Sequence, residues 1–414
     1  MSSRDLSVRS ARWLLLAAIF VVASNMRTSI AGVGPLVEQI RADTGISAPV
    51  MGLLASVPLL LWAVISPVAH SISRRLGLSA TILWSLVLLA IGTAMRSLVP
   101  QEWGLWIGTV LLGAALAVAN VLMPAVIKRD FTDRAAAVTS TFTAIMVGVG
   151  ALVSGIVVPI SQIDIGGEPA GWRFSLLVTG ALLPIAIVLW IIAERPGLRA
   201  SDVDPDAMPP MPLHASGRRK SVWGDRVAWL IAAYMGLQAV QFYMFSTWLS
   251  PMSISFGNSE TQAGFEVMLL QIFGIPGSLL LPFLLRSKIG PWGPALTPLV
   301  AALATVGLIV APQLLVLWVC IMSLVGGATL AMALTYISER TRDHSAASAL
   351  SGMSQGFGYV IAAIGPIVFG WLHDLTGTWD ASLYLMLATL LGLAVIGGLL
   401  KGAGRVFDER APKH

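Results

Sequence analysis

Residues 289–338, IGPWGPALTPLVAALATVGLIVAPQLLVLWVCIMSLVGGATLAMALTYIS, run for 50 positions without an Asp, Glu, Lys or Arg. One continuous helix of that length would reach about 75 Å, more than twice the ~30 Å of a bilayer's hydrocarbon core. Near its middle stands Ala311-Pro312-Gln313, where the missing proline N–H and a polar side chain favour a turn. The stretch therefore reads as two membrane crossings of ordinary length. Lipid offers a backbone no hydrogen-bond partner, so such crossings are helices rather than open strands.

Outward from this stretch the same pattern repeats. Charge-free runs occupy 44–73, 76–95, 103–127, 135–163, 174–193, 227–259, 267–285, 344–373 and 381–400, and a further run, 13–36, is interrupted only by Arg27. The total is twelve crossings. Composition agrees: 56% of the 414 residues are apolar and only 11% charged, against roughly 25% charged in a soluble domain. A water-soluble fold is excluded. The net charge of +5 does not point to nucleic acid, because the basic residues lie in the loops between apolar runs. Cys320 is the only cysteine, and the five histidines are scattered, so neither a disulfide framework nor a metal cluster is expected, and no cofactor is implied. Residues 1–24 have the look of a signal peptide, but the apolar pattern continues past Val22-Ala23-Ser24 and its removal would leave an odd number of spans.

With the N-terminus in the cytoplasm and sides alternating, 22 of the 26 Lys and Arg residues fall inside, leaving Arg41, Arg96 and Arg173 outside and Arg27 within the membrane. Both termini are thus expected in the cytoplasm. Between the sixth and seventh spans, Arg195–Asp225 carries five prolines within 196–212 and then Arg218-Arg219-Lys220, the composition of a disordered linker. It divides an all-α membrane protein into two six-helix bundles, 1–194 and 226–414, joined by a cytoplasmic linker, 195–225. A repeat crosses it. At an offset of 210, Asp133-Arg134-Ala135-Ala136-Ala137 matches Asp343-His344-Ser345-Ala346-Ala347, and Gly148 matches Gly358; near the start of each half an offset of 216 matches Gly34-Pro35 with Ser250-Pro251. Paired halves of this kind are expected of a transporter that binds its solute where the repeats meet.

Several motifs, in order, carry a family resemblance. They are Asn25-Met-Arg27 leading to Gly34-Pro35, Asn120-Val-Leu-Met-Pro124 running into Ile127-Lys128-Arg129-Asp130-Phe131, Gln238 to Trp248-Leu-Ser-Pro251, and Ser354-Gln355-Gly356-Phe357-Gly358-Tyr359 to Gly365-Pro366. Together they resemble the cyanate and 2-nitroimidazole transporter branch of the major facilitator superfamily. The resemblance implies a bacterial inner-membrane carrier, a monomer, working by alternating access on a small anionic or polar organic solute. One position departs from the superfamily pattern: the loop after the second span has Arg74 three residues before Gly77, where an Asp is usual, and Ser287 before Gly290 in the second half also lacks the acid.

Among polar residues inside the spans, Arg27 stands out, because an ionised Arg near the bilayer centre costs at least about 2.5–3.5 kcal/mol unless it faces a polar cavity. A guanidinium there can hold a planar anion through paired hydrogen bonds, although packing against backbone carbonyls is the simpler alternative. At 100° per residue Asn25 lies about 160° from Arg27, so both can face solute only if the helix is distorted. Gln238, Gln241, Phe242 and Phe245 share one face of the seventh span, and the 216 offset sets Gln241 against Asn25 and Tyr243 against Arg27. Ser348, Ser351, Gln355 and Tyr359 share a face of the eleventh span, and Asn120 stands alone in the fourth. The expected solute-contacting set is Arg27, Asn25, Asn120, Gln238, Gln241, Tyr243, Gln355 and Tyr359. Helix-to-helix bonding is the plainer role for the amides, and Asn120 could instead cap carbonyls freed by Pro124.

Gly148-Val-Gly150 reads as close helix packing rather than a phosphate loop, since no strand precedes it. The 210 offset sets Arg129 against Glu339 and Asp130 against Arg340, which suggests ion pairs across the halves when the cytoplasmic side closes. Solvated positive-inside charges are the simpler account. Only Glu266 lies a turn into a span, so the drive is open between exchange, proton coupling through Glu266 with protons or a counter-anion as partner, and downhill flow. An exporter of lipophilic compounds is the rival within transport; a non-transporting sensor or scaffold is the residual one. An enzyme is not expected, because neither a nucleophile with a base nor a metal cluster occurs at membrane depth.

Overall fold

A computed structural model describes residues 3–194, 221–341 and 344–407. The side chains of 3–11, 344, 345 and 348 are not described, and the Pro-rich linker at 195–220, Asp343 and the Ser348 side chain lie outside what can be compared. Among the described residues 12 helical stretches are long and apolar enough to cross a membrane. They are Arg12–Thr44, Ala48–Leu76, Leu78–Leu98, Glu102–Asp130, Thr132–Ser161 and Gly171–Ala193, then Arg226–Ser255, Glu260–Arg286, Gly290–Val310, Pro312–Glu339, Ala349–Thr376 and Asp380–Lys401. The chain is an all-α, multi-pass membrane protein. The 50-residue run divides where the proline falls: Gly293–Val310 ends at Ala311, Pro312–Leu314 makes a 3-10 turn, and Leu315–Glu339 follows. A two-stranded hairpin, Asp164–Ile165 with Glu168–Pro169, interrupts the all-helical pattern between the fifth and sixth spans. Gly166 and Gly167 take φ of 75° and 96°, which the tight turn needs and side-chain-bearing residues resist.

The residues group into two compact units, Met1–Thr44 with Val64–Leu213, and Gly45–Ala63 with His214–His414. In the first unit the third and fourth spans meet backbone to backbone. A Cβ on Gly92 would lie 2.7 Å from the Gly108 carbonyl oxygen, and one on Gly108 2.6 Å from that of Gly92, so only glycine admits this approach. Without a hydrophobic drive between helices in lipid, such van der Waals closeness is what holds spans together.

The second unit includes the opening half of the second span, which a division at the linker would assign to the first bundle. Its attachment is specific. Ala48 N–H donates to the Asp374 carboxylate at 2.8 Å, Gly52 sits against the backbone of Pro366, and Leu59 is buried with Ala239, Ala362 and Ala363. Asp374 thereby satisfies one of the orphan donors at the start of Ala48–Leu76. Asp374→Ala is expected to cost about 1 kcal/mol, the usual worth of a helix cap, read as a lower unfolding temperature in detergent. Elsewhere in this unit the seventh and eleventh spans approach closely at Gly236 and Gly358, and Tyr234 donates to the Pro294 carbonyl at 3.1 Å.

Candidate functional site

The first span is broken at Arg27. The helix Ser3–Met26 ends one residue earlier, a four-residue helix Thr28–Ala31 resumes, and Gly34–Leu36 and Val37–Thr44 complete the crossing. A break inside hydrocarbon frees carbonyls, and side chains take up three of them, those of Asn25, Ser29 and Ala31. Thr28 Oγ1 donates to the Asn25 carbonyl at 3.2 Å and to that of Thr179 at 3.1 Å. Val33 N–H turns to the Ile30 carbonyl, leaving that of Ser29 to Arg96 Nη1 at 2.7 Å. Pro35 has no N–H for the Ala31 carbonyl, and Ser154 Oγ supplies the missing donor at 3.0 Å. The distortion on which a shared role for Asn25 and Arg27 depended is therefore present.

Arg27 is half-buried at this break. Its aliphatic stem crosses Gly150 of the fifth span: a Cβ on Gly150 would lie 2.9 Å from Arg27 Cγ and 3.0 Å from its Cβ. Gly150 thus makes room for the arginine specifically, a narrower role than helix packing in general, while nothing lies within 4 Å of a Cβ on Gly148. Asn25 is buried; its Nδ2 donates to the Val21 carbonyl at 2.7 Å, while its Oδ1 has no hydrogen-bond partner among the described residues. Asn120 is exposed on a fourth-span helix that continues through Pro124.

In the second unit Tyr243 and Tyr359 come together with Trp62 around Leu59, Ala239, Ala362 and Ala363. The rings of Trp62 and Tyr359 meet edge to face, centroids 5.4 Å apart, a favourable arrangement of their quadrupoles. The Trp62 indole N–H and Gln241 Nε2 have no hydrogen-bond partner among the described residues. Gln355 donates to Ser351 Oγ at 2.8 Å one turn away, whereas Gln238 is buried with only the Met235 sulfur, 3.5 Å from its Nε2, to accept. Unlike the first span, the seventh runs unbroken from Arg226 to Ser255, so the repeat does not extend to the break at Arg27. Glu266 is buried, its Oε1 accepting from Gln262 Nε2 at 3.2 Å and Asn258 Nδ2 at 3.4 Å.

Three of the four charges set in opposition by the 210 offset, Arg129, Asp130 and Arg340, have partners inside their own units. Arg129 Nη2 bonds Asp130 at 2.8 Å and Glu194 at 3.0 Å, all three side chains largely buried. Arg340 donates to the carbonyls of Leu400, Ala403 and Gly404 and lies over the Tyr336 ring. Any exchange of partners between Arg129, Asp130, Glu339 and Arg340 would first have to break these charge-assisted bonds, each stronger than a neutral hydrogen bond.

Three participants escaped the sequence. Arg96 fell one residue beyond the charge-free run 76–95 and so into an outer loop, but it lies in the last turn of Leu78–Leu98, 1% exposed. Its signal was the spacing of Thr93 and Arg96, which puts a hydroxyl on its helix face one turn away. Glu194 and Trp62 gave none, because each acts through a residue distant in sequence.

Three similarities to known proteins bear on this architecture. The chain is 34% identical over 392 residues to the 2-nitroimidazole transporter of Escherichia coli (strain K12), covering 94% of this chain and 96% of the relative. It is 27% identical over 389 residues to the cyanate transport protein CynX of the same organism, covering 92% and 94%. Among solved structures, a bacterial homologue of the human lysosomal transporter Spinster, in an inward-facing and unoccupied conformation, superposes with a TM-score of 0.77 at 15% identity over 94% of this chain and 95% of that one. The sequence profile of the Major Facilitator Superfamily matches residues 15–363, and the chain belongs to that family of transporters.

Proposed function

We propose that this transporter carries a small anionic or strongly polar organic solute across the bacterial inner membrane by alternating access, with the Arg27 guanidinium as the principal solute contact. The observation that carries the proposal is the broken first span: the side chains of Thr28, Arg96 and Ser154 and the glycine at 150 maintain a break at which Arg27 stands between two helices, only half-buried where Arg96 is fully buried. Maintaining such a break costs regular helix hydrogen bonds, which a packing role for Arg27 would not require. The printed names of the relatives, a 2-nitroimidazole transporter and a cyanate transport protein, both denote small compounds, one a planar ring and one an anion, that a flat two-pronged donor suits. Asn25, Asn120, Gln238, Gln241, Tyr243, Gln355 and Tyr359 are assigned as further solute contacts within their own units, Tyr243 and Tyr359 for the faces of planar solutes. Both termini are assigned to the cytoplasm on the distribution of Lys and Arg.

Counterflow in proteoliposomes with labelled small anions and neutral heterocycles tests this. Saturable exchange of at least one such solute is expected; efflux of lipophilic compounds without it would favour the exporter instead. For the drive, Glu266 is the one carboxylate among the described residues that is fully buried within a span, and a proton is the coupling ion it suits. Glu266→Gln is expected to leave counterflow intact while removing the response of net uptake to an imposed pH gradient. A response equal to that of the wild type would exclude this carboxylate from the drive.

A further inference from the structure

Arg96 and Glu266 are the only members of Asp, Glu, Lys and Arg that are fully buried among the described residues. Glu266 has its amide donors; Arg96 has one acceptor for five N–H bonds. Its Nη1 reaches the Ser29 carbonyl at 2.7 Å, while Nε and Nη2 have no hydrogen-bond partner. An arginine does not shed its proton inside a protein, so this is a full positive charge in a dry setting. Several buried hydroxyls close to it in chain or register also lack hydrogen-bond partners among the described residues. Thr93 Oγ1 shares its helix face one turn earlier, Ser97 Oγ is on the next residue and one turn from Thr93, Ser29 Oγ belongs to the residue whose carbonyl it holds, and all three are buried without partners among the described residues. Ser175 joins them by register. The third and sixth spans run antiparallel, since Arg173 donates to the carbonyls of Val99 and Pro100 while Thr93 packs on Gly180, and this sets the buried, unpartnered Ser175 hydroxyl near the level of Arg96 and Ser97.

The cluster holds one cation and four hydroxyls, and among the described residues no Asp or Glu is in a hydrogen bond or ion pair with the guanidinium. A metal ion is repelled by the guanidinium, whereas hydroxyls can turn their O–H groups toward an anion held there. We propose that Arg96, with the hydroxyls of Ser29, Thr93, Ser97 and Ser175, binds a compact monovalent inorganic anion of the halide class inside the first unit. One guanidinium balances one negative charge, and hydroxyls and N–H groups replace the ion's hydration shell. The site lies beside the short helix Thr28–Ala31, so the bound ion steadies the break at Arg27 without itself being cargo.

The test is thermal unfolding of the full chain in nanodiscs, in sodium chloride or bromide against sodium gluconate at equal ionic strength. A saturable rise on the order of 2–4 °C is expected from binding to the folded state alone. Bromide should also give an anomalous scattering peak within hydrogen-bond distance of the Arg96 guanidinium. Arg96→Gln should abolish the rise. Should that variant fail to fold, Thr93→Val combined with Ser97→Ala should still show the rise, at a several-fold higher half-saturating halide concentration. Equal stability of the wild type in halide and gluconate overturns the proposal, as does a half-saturating concentration unchanged in the hydroxyl variant. Displacement of bromide by a transported solute would assign the cluster to cargo, and that too overturns it.

Discussion

Replacing Arg27 by alanine is expected to lower solute counterflow by about 100-fold while the protein remains folded and monodisperse. The magnitude follows from the bonds lost: hydrogen bonds to a charged group are worth about 1.5–3 kcal/mol each, and ~3 kcal/mol for a forked pair is roughly a hundredfold in affinity or rate. Folding should survive, because the carbonyls of Asn25, Ser29 and Ala31 are held by Thr28, Arg96 and Ser154, which the substitution leaves in place. Arg27→Lys keeps the charge and loses the planar fork, so an intermediate loss of about tenfold is expected for a planar solute. Counterflow by Arg27→Ala at the wild-type rate would remove Arg27 from the solute's path and with it the proposal on cargo.

The second large effect is expected at a residue with no functional group. A β-carbon on Gly150 would press on Arg27 Cβ and Cγ at 3.0 and 2.9 Å, the root of the side chain and not its mobile end, so the guanidinium cannot swing clear without moving the stem. Gly150→Val should therefore reduce counterflow nearly as far as Arg27→Ala, with an overpacking cost of about 1–3 kcal/mol visible as a lower unfolding temperature. The informative comparison is the double variant. If Gly150 acts by placing Arg27, adding Gly150→Val to Arg27→Ala costs little further transport, because the group it would displace is already gone. Multiplied losses would mean that Gly150 serves the fifth span's packing independently.

Legibility in the sequence followed the range of the interactions concerned. The 50-residue run could be divided at Pro312 because the break is a property of one residue, its absent N–H. The same kind of local accounting exposed Arg27, since a charge within an apolar run is conspicuous whatever surrounds it. Arg96 depends on contacts of longer range. As the last turn of a span it looked like a loop charge, and nothing within its own helix announced that the Ser29 carbonyl would be left unbonded for it, 67 residues away in the chain. Trp62 is a similar case, grouped with Tyr359 of the eleventh span because the opening half of its helix packs on that span. The 210 offset set Arg129 against Glu339, but the ion-pair partners that hold it in place, Asp130 and Glu194, belong to its own unit, Glu194 at the end of another helix.

By itself, the order of residues determined that this chain enters a bilayer, how many times it crosses and that Arg27 is the charge to explain, because hydrocarbon thickness and the need for a self-satisfied backbone act on each segment alone. Tertiary structure decided where the first span breaks, that Gly150 lies beneath the arginine and that Arg96 is buried with a cluster of hydroxyls. Those outcomes depend on which helices become neighbours, and close packing between spans is set by small residues and carbonyls that carry no signal until they meet.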